Sequence, residues 1–186
     1  PGVLLGTVVG IDDGNRLAAK VRQWFHFPID SGMSAVTENN RASRFMFERG
    51  LDRKNLMVMG MGLHLNQDSF SHVGYGPYLG HAHHGSQPDL PFLDQRKAVR
   101  MARSTLDLLV LASKHVFGAA VDHTVIWRQV EGTLNKMFAI EGSEDARELA
   151  WRRLNQGVGY VNTAEMARLR AAFDKSAIPF GGGWDL

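Results

Sequence analysis

His64, Asp68 and His72 recur at four-residue intervals, the first two inside and the last directly after a largely apolar segment, Asn55 to Ser71. One turn of helix separates each from the next, so the three metal-ligating side chains share a face. At about 1.5 Å rise per residue, His64 and His72 stand roughly 12 Å apart along the axis, whereas two ligands of one zinc ion bring their donor atoms within about 4 Å. A single ion cannot easily hold all three. The economical assignment gives His64 and Asp68 to one ion and His72 to a second, with the Asp68 carboxylate free to bridge, as in two-metal phosphoesterase sites. The bland alternative is three polar residues of a partly buried helix, satisfied by backbone or water.

Apolar residues recur every three to four positions in nearly every periodic segment, and strict alternation is hard to find. The spacing therefore predicts an all-α fold, a compact multi-helix domain with the metal cluster among its helices. Helices are expected from near Asn15 to Phe25, stopping before Pro28; over Ala35 to Glu48, closed by Gly50; from about Asn55 to Ser71; and from about Gln95 to Val116. Three more are expected near His123 to Ala139, Ser143 to Asn155 and Thr163 to Lys175. Gly60 and Gly62 fall inside the ligand-bearing helix at a cost of about 1 kcal/mol each relative to alanine, which predicts close approach of another helix beside the site. Val73 to Gly85, rich in glycine and histidine around Pro77, reads as an irregular, functional loop.

With 186 residues and 44% hydrophobic content, the chain is expected to form one domain over 1–186. The absence of cysteine excludes disulfides and thiolate ligands, leaving imidazole and carboxylate, a donor set that suits zinc, manganese or iron. A formal net charge of +2 is too small to imply nucleic-acid binding, and is compatible with phosphate-bearing substrates. The apolar run Leu106 to Ala112, interrupted by Asp107, falls far short of a membrane span, so a soluble protein is expected. The opening Pro1-Gly2-Val3-Leu4-Leu5-Gly6 carries neither an initiator methionine nor a basic leader, and reads as part of a longer parent chain. The compartment stays open.

His64-x-x-x-Asp68 on an apolar helix, Asp12-Asp13 and His26 upstream, and His81, His83 and His84 downstream resemble the zinc-dependent phospholipase C and fungal single-strand nuclease superfamily. Those all-helical enzymes bind a cluster of zinc ions through His and Asp and cleave phosphodiesters. The resemblance covers Asp12 to Asp94, and the order of ligands carries it. It implies that Asp12 or Asp13, with His26, shares an ion with His64 and Asp68, and that His72 and then His81 serve further on. The family places an acid one turn after that last histidine, where this chain has Gly85, so Asp89 or Asp94 must substitute. Asp94, directly before Gln95, reads as a helix cap, which leaves Asp89. No histidine precedes His26, so the family's remaining ion either has no site here or takes ligands from a missing upstream segment; two or three ions are implied. Asp68-Ser69-Phe70-Ser71-His72-Val73-Gly74-Tyr75-Gly76 also resembles an uncharacterised bacterial branch, some members of which are C-terminal toxin modules of large secreted proteins. That likeness implies delivery within a larger bacterial protein and an inhibitory immunity partner.

The leading expectation is a metal-dependent phosphodiester hydrolase in which Asp68 bridges ions and Asp12 or Asp13 orients or deprotonates the attacking water. Phospholipid and single-stranded nucleic acid are both open as substrates, with Tyr75 and Tyr78 flanking the site as stacking or lining residues and Trp24 either joining them or, as the favoured reading, packing in the core. The alternative is a non-catalytic domain whose ions are structural and whose surface binds a protein. His83 and His84 are expected to face solvent, and His115 and His123 to be structural. Arg96, Lys97, Arg100 and Arg103 form a basic strip, by default a solvated helix face and more sharply a phosphate-recognising rim.

Overall fold

The computed structural model describes residues 25–77 and 79–158. The expected helix near Asn15 lies outside them save for its last residue, and the one expected over Thr163 to Lys175 lies outside entirely. The fold is all-α: the described residues form five α-helices and three 3₁₀ turns, and their strand-like pairing is an isolated parallel bridge between Val36 and Val73. The helices are α1 (Arg41–Asp52), α2 (Leu56–Ser71), α3 (Gln95–Phe117), α4 (His123–Phe138) and α5 (Glu144–Val158). Two compact units divide them, the first ending at Ile140 and the second beginning at Glu141.

Side-chain caps decide where these helices start. Asn55 Oδ1 accepts from the amides of Met57 and Val58, Asp94 from Lys97, and Asp122 from Thr124 and Val125. Asp94 is thus the cap of the long helix. The helix expected over Ala35 to Glu48 begins later, at Arg41, because Asn40 caps it through Ser43 N at 2.8 Å. The preceding stretch is instead drawn onto the loop after α2: Val36 N donates to Tyr75 O and Gly74 N to Val36 O, both at 2.9 Å. Gly50, expected to close that helix, lies inside it and is buried against Met59.

In the first unit α2 packs against α1 and α3, and α3 against α4. Phe47, Leu51, Met59 and Leu108 form the buried core, joined by Leu63, Ala112 and Val116. The expected close approach at the α2 glycines is met at Gly62, where a Cβ would overlap the Phe47 backbone, and not at Gly60, which has open space around it. A second, polar layer lies behind α2. Asn66 and Ser69 are both fully buried. Asn66 Nδ2 donates to Asn39 Oδ1 at 2.9 Å, Ser104 Oγ donates to Asn66 Oδ1 at 2.8 Å, and Asn39 N donates to Ser69 Oγ at 3.0 Å. Satisfied in this way, the buried amide and hydroxyls tie α3 and the segment before α1 to α2 without a desolvation penalty.

In the second unit, α5 opens at Ser143, whose Oγ accepts from Ala146 N, with Glu144 and Asp145 in its first turn. No described helix is long and apolar enough to cross a membrane.

Candidate metal centre

Beside the buried Met59, Gly62, Leu65, Asn66, Ser69 and Phe70 of α2, the stripe passes from exposed His64 through part-buried Asp68 to buried His72. His72 ends the helix. The stripe is divided between two trios, His26 with His64 and Asp68, and His72 with His81 and Asp89; within each, one donor atom per residue lies within 4.8 Å of the others. In the first, Asp68 Oδ2 is 2.9 Å from His26 Nδ1 and 3.4 Å from His64 Nε2. In the second, Asp89 Oδ1 is 3.2 Å from His72 Nε2, and Asp89 Oδ2 is 3.4 Å from His81 Nε2. Donors around a tetrahedral zinc at about 2.0 Å stand about 3.3 Å apart, so two imidazoles and a carboxylate in each trio fit a divalent transition metal in both chemistry and spacing.

Both histidines of the second trio are oriented by main-chain carbonyls. His72 Nδ1 donates to His26 O at 2.6 Å, and His81 Nδ1 donates to Gly85 O. A carbonyl only accepts, so each Nδ1 carries its hydrogen and each Nε2 is the nitrogen aimed at Asp89; metal-binding histidines are held by this kind of outer hydrogen bond. Phe27, buried, stacks on the His72 ring at 4.5 Å between centroids and 25° between planes. The His72 and His81 rings are themselves stacked at 5.0 Å, and Tyr75 presents an edge contact to His81 at 5.9 Å.

Two 3₁₀ turns, Ala82–His84 and Gln87–Asp89, lie between His81 and Asp89 and bring Asp89 to His72. Asp68 meets the second trio only through His72 Nδ1, at 4.0 Å, the nitrogen already committed to His26 O. Its carboxylate thus belongs to the first trio.

With a carbonyl at Nδ1 and a carboxylate at Nε2, the surroundings of His72 favour its protonated form. Its pKa lies above the ordinary 6.5: burial opposes the charge, and the Asp89 hydrogen bond, the His26 carbonyl and the negative charges of Asp68 and Asp89 together outweigh it. Asp89 lies below its ordinary 3.8, burial being outweighed by the hydrogen bond and charge of His72 and by His81 and Lys97.

Asp12 and Asp13 lie outside the described residues, as do Trp24 and Tyr78. His83 and His84 are exposed, His84 beside the Tyr75 ring. His123 sits 3.1 Å from Asp107, away from both trios. In the basic strip, Arg100 pairs with Glu38 at 2.6 Å, and Arg103 pairs with Glu131 at 3.3 Å while lying over the Trp127 ring. These internal partners account for both arginines without a phosphate. Phe27, with no ligating atom and no periodic neighbours, gave no signal in the sequence. Comparison with protein-family models, with curated proteins and with solved structures finds no match to this chain.

Proposed function

We propose that the chain is a metal-dependent phosphodiester hydrolase whose two trios each hold one divalent ion, zinc by preference of the donor set. The observation that carries this reading is the pairing of two His/His/Asp sets along one helix, each with three protein donors among the described residues. Structural zinc sites close with four protein ligands, whereas catalytic ones keep a position for water or substrate. When bound, such ions lower the pKa of water toward neutrality and offset charge on phosphoryl oxygens.

The protein's own residues set this up. Asp68 gathers His26 and His64, and His64 is half exposed, leaving that trio open to a substrate from solvent. Asp89, also half exposed, does the same for the second trio. The Phe27 and Tyr75 rings pack on His72 and His81 of the second trio and steady their orientation. Asp12 and Asp13 remain the proposed acids for orienting the attacking water, and a phospholipid or a single-stranded nucleic acid the proposed substrate.

The test is protein stripped with chelator, reloaded with zinc, and assayed on phosphatidylcholine vesicles and on single-stranded DNA. Two bound equivalents and metal-dependent cleavage of one substrate, both impaired in His64→Ala and Asp68→Ala, are expected. Full activity in metal-free His64→Ala would sink the hydrolase reading, and two tightly held ions without cleavage of either substrate would point to a structural role.

A further inference from the structure

Lys97 belongs to the same basic strip as Arg100 and Arg103, yet its bonding differs from theirs. Its Nζ donates to two main-chain carbonyls, Ser71 O and Pro88 O, each at 3.3 Å. Each carbonyl belongs to the residue immediately before a member of the second trio, Ser71 before His72 and Pro88 before Asp89. Ser71 is also the last residue of α2, where carbonyls lack intrahelical partners and carry the negative end of the helix dipole. An ammonium with three donors on a flexible stem can join two such carbonyls from separate segments. Lys97 is fixed in turn at the start of α3, where its own amide donates to the Asp94 cap at 2.9 Å.

We propose that Lys97 is a positioning residue for the second ion site: it fastens the peptide carrying Asp89 to the end of the helix carrying His72, and so holds the carboxylate against the imidazole. Nothing else in the 3₁₀ segment secures Asp89 from the main-chain side with a side-chain donor among the described hydrogen bonds. This inference rests on the second trio being an ion site, and it assigns Lys97 no contact with ion or substrate.

The experiment is calorimetric titration of the metal-free full chain with zinc alone, comparing wild type, Lys97→Met, Lys97→Arg and, as a marker of the second site, Asp89→Asn. Loss of an outer hydrogen-bonding partner typically weakens metal affinity about 10- to 100-fold. Lys97→Met should therefore weaken by that factor the same equivalent that Asp89→Asn removes, leave the other unchanged, and be largely rescued in Lys97→Arg, which keeps charge and donors. Wild-type affinity at both equivalents in Lys97→Met overturns the assignment of Lys97 alone. Equal weakening of both equivalents, or failure of Lys97→Met and Lys97→Arg alike to fold, shows a general structural role and overturns it too. A wild type binding fewer than two equivalents overturns the two-ion reading, and this one with it.

Discussion

The ring of His72 supports the main chain of His26: Nδ1 of the former donates to the carbonyl of the latter at 2.6 Å, while the His26 ring turns to Asp68 at 2.9 Å. A member of one trio thereby holds the backbone of a member of the other, and the two trios share more than a helix.

Loss of His72 should consequently be felt at both sites. His72→Ala is expected to remove the second zinc equivalent and to weaken the first by roughly tenfold, the lower range for loss of an outer partner. Asp89→Asn, which leaves the bond to His26 in place, should affect the second alone. Titration calorimetry separates the two, and first-site affinity identical in both variants would count against the link.

The His72 and Asp89 pair predicts opposite pH trends with and without metal. His72 has its pKa raised above 6.5, so its contribution to stability is complete below 6.5 and is lost as pH rises through the raised value. Asp89 is lowered from 3.8, so its contribution is present above 3.8 and is lost as pH falls through the lowered value. In metal-free protein the pair therefore stabilises most between 3.8 and 6.5, and this part of the melting profile should flatten in Asp89→Asn. Zinc affinity should instead climb with pH, because the proton on His72 Nε2 must leave first. Calorimetry across pH 5 to 8, roughly the range in which imidazole titrates, checks the direction.

Gly60 and Gly62 lie two residues apart in one helix and should respond in opposite directions. A Cβ at Gly62 would overlap the Phe47 backbone, so Gly62→Ala is expected to cost about 1–3 kcal/mol by overpacking α1 against α2. Gly60 is exposed with nothing within 4 Å, so Gly60→Ala should stabilise by up to about 1 kcal/mol through helix propensity. Chemical denaturation of both variants tests this.

Asn66 occupies the fully buried side of the same helix, where its amide joins Asn39 to Ser104. Asn66→Ala takes the main acceptor from the buried Ser104 hydroxyl, leaving it a 3.4 Å contact with Asn39 Oδ1, and should cost about 1–3 kcal/mol. A denaturation midpoint unchanged from wild type would mean that water or the Ser104–Asn39 contact takes over from the lost amide.

The helices were largely legible because their signals are local. Asn55 and Asp94 mark two starts from their own side chains, and α2 and α3 begin within a residue of expectation. The segment from Ala35 to Asn40 has helical spacing yet is not helix, because what holds it is the bridge between Val36 and Val73, a pairing with no trace in local spacing. Arg100 and Arg103 read as a basic strip for the same reason: Glu38 and Glu131, their partners, are remote in the chain.

That His64, Asp68 and His72 share a face, and that their span exceeds the reach of one ion, follows from residue spacing, since helical rise and repeat are properties of the backbone alone. The sequence also marks His26, His81 and Asp89 as residues able to join them. The partition into two trios, the commitment of His72 Nδ1 to His26 O, and the place of Lys97 between Ser71 and Pro88 emerge from the folded chain. The hydrogen bonds of His72 and Lys97 join groups 9 to 46 residues apart in the chain, and their geometry is set by packing and chain reversal rather than by the spacing of side chains along any one element.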